Sequence, residues 1–175
     1  MAASAHFDPK HLTHTERLLQ RLNPRIRRYA MKMNGTTVIN RPVDTVFDYV
    51  IDVSNDANWR TGVDESGWES GENLGLGAIG YTLAGNMKVR WRVVSYTEGE
   101  SVEWDLLSGP YKGRGGYRLL PVDGGTEFTL LADLEPSGWL KLLGPLFGWI
   151  GRRQNQADVE KLRDILESDT GGISN

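Results

Sequence analysis

Histidine and cysteine carry most proton-transfer, nucleophilic and metal chemistry in proteins, and this chain places neither in its body. All three histidines (His6, His11 and His14) lie near the N-terminus, and there is no cysteine at all. His11 and His14 are spaced for a helical metal pair, but no third ligand stands near them, so they are read as solvated. Acid–base work would fall to Asp, Glu or Tyr. Asp48 and Asp52 stand four apart on a predicted helix and are read as lining its solvent face. The run Gly75-Leu76-Gly77-Ala78-Ile79-Gly80 matches G-x-G-x-x-G. A dinucleotide fingerprint needs a strand before it and a helix after it; here a strand follows, and the glycines are read as turn residues. No metal and no cofactor is expected.

What remains is a set of large rings at alternating positions. Val89, Trp91 and Val93 share one strand face, with Arg90 and Arg92 on the other. Val102, Trp104 and Leu106 oppose Glu103 and Asp105. Phe128, Leu130, Ala132 and Leu134 oppose Glu127, Thr129, Asp133 and Glu135. The same rule turns Gly115, Tyr117 and Leu119 inward, and Ile79, Tyr81 and Leu83 with them. The expected inner wall is therefore apolar, with Tyr81, Trp91, Trp104 and Tyr117 as its bulkiest members. Rings of this kind can simply fill a core. They can also line a cavity whose few polar groups orient a ligand, and the hydroxyls of Tyr81 and Tyr117 are candidates, with Asn155 and Gln154.

The last helix bears on that choice. Gly144, Gly148, Gly151, Asn155, Val159, Leu162 and Leu166 recur at helical spacing and form one stripe. Its second half is ordinary core, while its first half has almost no side chain. Interior glycines cost about 1 kcal/mol each relative to alanine. Facing the sheet, they leave room for a ligand; facing outward, they admit a close neighbour. The same half-helix is apolar nearly all round, with Leu146, Phe147, Trp149 and Ile150 after Trp139, Leu142 and Leu143. Such a surface is buried or meets another apolar surface. It suits a cavity gate, a homodimer contact or a peripheral membrane contact.

The elements that would hold these residues follow from turn signals and periodicity. A strand is predicted over 33–40, a helix over 43–52, and a short helix over 54–59 opening on a Ser54 cap. Strands follow over 78–83, 87–96, 101–107, 113–120 and 127–135, and a long helix over 145–168 after a helical turn at 138–143. Short turns between successive strands mean an antiparallel meander. Its apolar face must be buried, and the last helix, about 35 Å long at 1.5 Å per residue, is the element long enough to cover it. The expected fold is α+β: a strongly bent antiparallel sheet of six to seven strands wrapped around a long C-terminal helix, with two short helices after the first strand.

That order, with the segments TTVINRPVDTVFDYVIDVSNDANW, VRWRVVSYTEGESVEW, SGPYKGRGGYRLLPVDGGTEFTL and LEPSGWLKLLGPLFGWIGRRQNQADVEKLRDILE, resembles the START/polyketide-cyclase-like superfamily (SRPBCC) of helix-grip proteins. The resemblance covers about 33–168 and is more specific for fold than for function, since the group includes lipid carriers, hormone receptors and aromatase/cyclases. It implies an internal cavity and places Trp59 at its mouth. The ligand-lining residues expected from both lines of reasoning are Trp59, Tyr81, Trp91, Trp104, Tyr117, Leu130, Phe147, Gly148, Gly151 and Asn155, with no catalytic or metal-binding residue among them.

Composition bounds the rest. The 175 residues carry a formal net charge of −3, made of a basic arm over 1–32 and an acidic helix-grip domain over 33–168, followed by a polar tail over 169–175. The acidic body disfavours broad phosphate binding, so no nucleic-acid partner is favoured. The most apolar run, 138–150, is interrupted by Lys141 and Pro145 and is short of the roughly 20 residues of a span. With no apolar signal core at its start, the chain is expected in the cytoplasm. Three functions follow: binding or carrying a lipophilic small molecule, a cyclase/dehydratase reaction using a cavity Tyr or Asp, and a membrane- or partner-associated adaptor acting through the basic arm. The missing histidine and cysteine favour holding a ligand over reacting with it.

Overall fold

The computed structural model describes residues 31–69, 74–136 and 144–168. The arm before residue 31, the turn expected at 138–143 and the tail after 168 lie outside the described residues. Strands β1 (Met31–Lys32) and β2 (Gly35–Ile39) precede helix α1 (Val43–Ile51), a 3-10 turn (Val53–Asn55) and helix α2 (Asp56–Trp59). Strands β3 (Glu65–Trp68), β4 (Ile79–Ala84), β5 (Met87–Thr97), β6 (Ser101–Leu106), β7 (Tyr111–Val122) and β8 (Gly125–Pro136) follow, and helix α3 (Gly144–Ser168) closes the chain.

The sheet is antiparallel throughout, in the order β1-β8-β7-β6-β5-β4-β3, with β2 also on β8. Met31 pairs with Leu134 and Gly35 with Leu130 in one continuous register. Thus β1 and β2 lie end to end along β8, and the sheet is seven strands across. Met31 and Lys32, expected in the basic arm, belong to the sheet. β3 was not anticipated; its Gly67 and Ser66 interrupt the apolar alternation by which a strand is recognised. The 3-10 turn is capped by Asp52, whose Oδ1 accepts from Ser54 N at 3.1 Å and Ser54 Oγ at 2.6 Å. Ser54 is therefore the donor to a cap two residues earlier than expected.

α1 buries Val46, Phe47 and Val50 on one face. In α3, Gly148, Val159, Leu162 and Leu166 are buried, so the stripe read from the sequence faces the sheet. The helix runs along β2, and one glycine from each side, Gly151 and Gly35, serves the close approach. A Cβ on Gly151 would overlap the Met33 thioether, and one on Gly35 would overlap the Asn155 carbonyl. Asn155 Nδ2 donates to the Met33 carbonyl. Side chains of α3 also cover the open edge of β2. Thr36 N donates to Gln156 Oε1 at 3.1 Å, Gln156 Nε2 donates to Thr36 O at 3.0 Å, and Asn40 N donates to Glu167 Oε1 at 2.7 Å. An unpaired edge is a template for aggregation, and these side chains occupy it. Gly35→Ala pushes a methyl group into helix backbone that cannot rotate away. Its expected effect is a stability loss of about 1–3 kcal/mol in thermal unfolding; an unchanged midpoint would mean that α3 rides farther from β2 than described.

Candidate functional site

The concave face of the sheet carries a continuous ladder of rings. Trp68, Trp91, Trp104, Tyr117 and Phe128 follow one another across the sheet, with successive ring centroids 5.1, 5.8, 4.9 and 5.4 Å apart. Two of the indoles lie along the sheet, each over a glycine. Gly80 stands opposite Trp91 and Gly115 opposite Trp104. A Cβ on Gly115 would lie 2.7 Å from Trp104 Nε1, and one on Gly80 would overlap the Trp91 ring. Flat-lying rings leave space in front of them. That is the physical origin of the cavity.

The space has two adjacent lobes. The first, about 190 Å³, lies between α1, α2 and strands β3–β8 and includes Trp68, Trp91, Trp104 and Tyr117 in its wall. The second, about 260 Å³, lies under the start of α3, against Met33, Leu130, Ala132, Ile150, Gly151 and Asn155. Arg60, Trp104, Leu106, Tyr111 and Leu134 line both lobes.

Arg60 is the charged group at that junction. Its Nη1 lies 3.3 Å from Asp56 Oδ2, one helical turn earlier, with the side chains 26% and 3% exposed respectively. Buried Tyr117 donates its hydroxyl to Asp56 Oδ1 at 3.2 Å. The next loop residue is held independently: Thr61 N and Oγ1 donate to buried Asp158 Oδ1 at 3.1 and 2.6 Å, and Gln154 Nε2 donates to Thr61 O at 3.0 Å. α3 thus locks the position from which Arg60 enters the cavity. Burial works against the Arg60 charge, but the carboxylates of Asp56, which it also hydrogen-bonds, and Asp158 favour it, and its pKa is raised. Burial, then the Asp56 carboxylate, pushes the Tyr117 hydroxyl far above its ordinary value. Tyr117 is therefore a neutral donor at any physiological pH.

The ten residues singled out from sequence fall into four groups. Trp91, Trp104 and Tyr117 line the first lobe, and Leu130, Gly151 and Asn155 the second, with Trp104 shared. Gly148 is buried in α3 without lining either lobe, and the Phe147 side chain lies outside the described residues. Trp59 and Tyr81 are elsewhere. Trp59 is completely buried against Tyr117 and Phe128, not at a mouth. α2 ends there and the backbone becomes extended at Arg60; the indole packs into the core, and the Arg60 guanidinium lies over that ring, 5.8 Å from its centroid, while lining the cavity. Tyr81 is on the outer face, its hydroxyl donating to Glu65 Oε1 at 2.5 Å under the Lys88 ammonium, which lies 4.1 Å from the ring centroid. The β4 alternation is one residue out of step with expectation. Gly80 and Thr82 face inward, and Thr82 Oγ1 accepts from Trp91 Nε1 at 3.2 Å. A one-residue slip turns every side chain to the other face. Asp56, Arg60, Trp68, Tyr111 and Thr82 were missed, although the i, i+4 spacing of Asp56 and Arg60 was a readable signal.

Residues 30–167 match the sequence model of the family described as polyketide cyclase / dehydrase and lipid transport. The chain belongs to that family. No curated protein matches it in sequence. Solved structures resemble it in fold at low identity. A Thermus thermophilus protein aligns with a TM-score of 0.65 at 16% identity, over 80% of this chain and 99% of that one. A START superfamily protein from Mycobacterium smegmatis aligns at 0.66 and 14%, over 78% and 97%. The Zhui aromatase/cyclase from a Streptomyces species aligns at 0.65 and 13%, over 82% and 98%. The helix-grip architecture and the START/polyketide-cyclase-like membership expected from sequence both stand. Among the described residues, no helix of this family member is long and apolar enough to cross a membrane, and no cluster of three or more His, Asp or Glu could hold a metal.

Proposed function

We propose that this family member binds a lipophilic small molecule with one oxygen-bearing end. Its apolar body lies against the ring ladder, and its oxygen meets Arg60 at the junction of the two lobes. The observation that carries this reading is the placement of one guanidinium, with its Asp56 partner, in a wall otherwise made mostly of Trp, Tyr, Leu, Ile and Val. Ligand sites are concave and mostly apolar, with a few polar groups that fix orientation, and span about 300–1,000 Å³; the lobes reach that range only when occupied together. Asp56 is the carboxylate within 4.0 Å of Arg60 among the described residues and engages Nη1 alone, which leaves N–H donors for a carbonyl or carboxylate.

Native mass spectrometry of the purified full chain tests this. The expected result is an adduct that organic extraction removes and incubation with a lipid extract restores. Arg60→Met weakens its retention, while Tyr81→Phe, on the outer face, leaves it unchanged. Chain that stays empty through both steps overturns the reading.

The same Asp56–Arg60 pair supports a second reading, a cyclase/dehydratase reaction, because proton transfer needs ionisable groups in the cavity wall. Tyr117 would serve there as a neutral hydrogen-bond donor, with Asp56 as the group that moves the proton. Turnover of a polyketide-like substrate that Asp56→Asn abolishes, in a variant that still retains ligand, would select it.

A further inference from the structure

The antiparallel order brings the start of β5, the end of β6, the start of β7 and the end of β8 to one end of the sheet. The start of α3 lies toward that same end. The helix rests on Met33 at Gly151 and on Gly35 at Asn155, and reaches Asn40 with Glu167, so Trp149 and Ile150 lie on the β1 side of that contact. Large apolar side chains are exposed there: Trp149 53%, Met87 50%, Ile150 44% and Leu107 41%. Ile150 also lines the second lobe. It therefore stands at an opening, with one side toward the cavity and the other toward solvent.

Cations frame these residues. Arg153 lies 5.3 Å from the Trp149 ring centroid. Arg152, Arg153 and Lys112 are exposed, and among the described residues none forms an ion pair within 4.0 Å. Glu135 stands opposite Lys112 in register without bridging it, and Glu69 is occupied by Arg90 and Lys88. An exposed Trp and Ile beside unpaired arginines on one helix end match the chemistry of an anionic bilayer surface, with apolar side chains entering the headgroup boundary and cations meeting the lipid charge. The negative charge of the whole chain does not oppose this, because charges beyond about 10 Å are screened at physiological salt.

We propose that this end of the fold docks on anionic membrane through Trp149, Ile150, Arg152 and Arg153, bringing the cavity opening against the lipid. Vesicle flotation of the full chain tests it, with phosphatidylcholine alone and with one-third phosphatidylserine. The expected result is binding to the anionic vesicles only, reversed by high salt. At about 1 kcal/mol per surface cation, Arg152→Ala with Arg153→Ala lowers the partition about thirtyfold, and Trp149→Ala lowers it further. All three side chains are exposed, and unchanged circular dichroism excludes misfolding as the cause. Three outcomes overturn the proposal: wild-type protein that floats with neither vesicle, undiminished binding by the Arg152/Arg153 variant, or complete loss of binding when Arg25, Arg27 and Arg28 alone are changed to Ala. A Trp149→Ala change that converts a dimer to a monomer, with no wild-type flotation, would assign the face to a second copy. The adduct measurement needs no vesicles, so failure of ligand binding and failure of docking are read separately.

Discussion

Asp56→Ala is expected to lower the unfolding free energy by about 2–3 kcal/mol in a urea titration. The substitution removes the carboxylate that accepts from Tyr117 and pairs with Arg60, leaving a guanidinium and a phenol without their partner. Removing one member of a fully sequestered pair costs about 3–5 kcal/mol. The expected loss is smaller here because Arg60 keeps 26% of its side-chain surface. The sign of the second substitution is the sharper result. Arg60→Met added to Asp56→Ala should recover about 1 kcal/mol or more, since an apolar side chain then fills a wall that is already apolar. A double variant no more stable than Asp56→Ala would mean that the Arg60 charge is solvated and not held by the pair. The pair would then hold no fixed guanidinium for a ligand.

Trp59→Ala is expected to be the more damaging change, at about 3–5 kcal/mol. The indole is completely buried, packed edge-on against Phe128 at 6.0 Å and tilted against Tyr117 at 5.9 Å. Alanine leaves a void behind the same Tyr117 that positions Asp56, so the damage extends from core to cavity wall. Trp59→Phe should lose far less. It keeps a ring in place and removes a buried Nε1–H that has no protein acceptor among the described residues. The comparison also decides between two locations for Trp59. A residue at a solvated mouth would lose under about 1 kcal/mol on truncation, within the ordinary range for exposed positions.

The inner positions of β5, β6, β7 and β8 were legible because one face of each strand is buried and the other solvated, which writes period two into the sequence. The α3 stripe was legible for the equivalent reason at period 3.6. β4 was misread because Ile79, Tyr81 and Leu83 are its more apolar set, while the truly inward Gly80 and Thr82 are small and polar. The hairpin held the correcting signal. With Gly85-Asn86 as a two-residue turn, Ala84 pairs with Met87 and Gly80 necessarily faces Trp91. Register outranks hydrophobicity when a strand's inner face is built to receive a neighbour's ring.

Residue order alone therefore determined the element sequence apart from β3, the antiparallel meander, the covering helix and the absence of histidine and cysteine from the body. Those depend on local periodicity and turn chemistry, which act within a few residues. The arrangement that makes a site was decided only in three dimensions. Trp91 and Trp104 leave a cavity because glycines from neighbouring strands let their rings lie flat. Arg60 acquires its role because Asp56, Tyr117 and the Thr61–Asp158 lock converge on it from α2, β7 and α3. Contacts between residues some sixty to a hundred positions apart leave no periodic trace in a sequence, since each partner satisfies only its own strand or helix until the chain is folded.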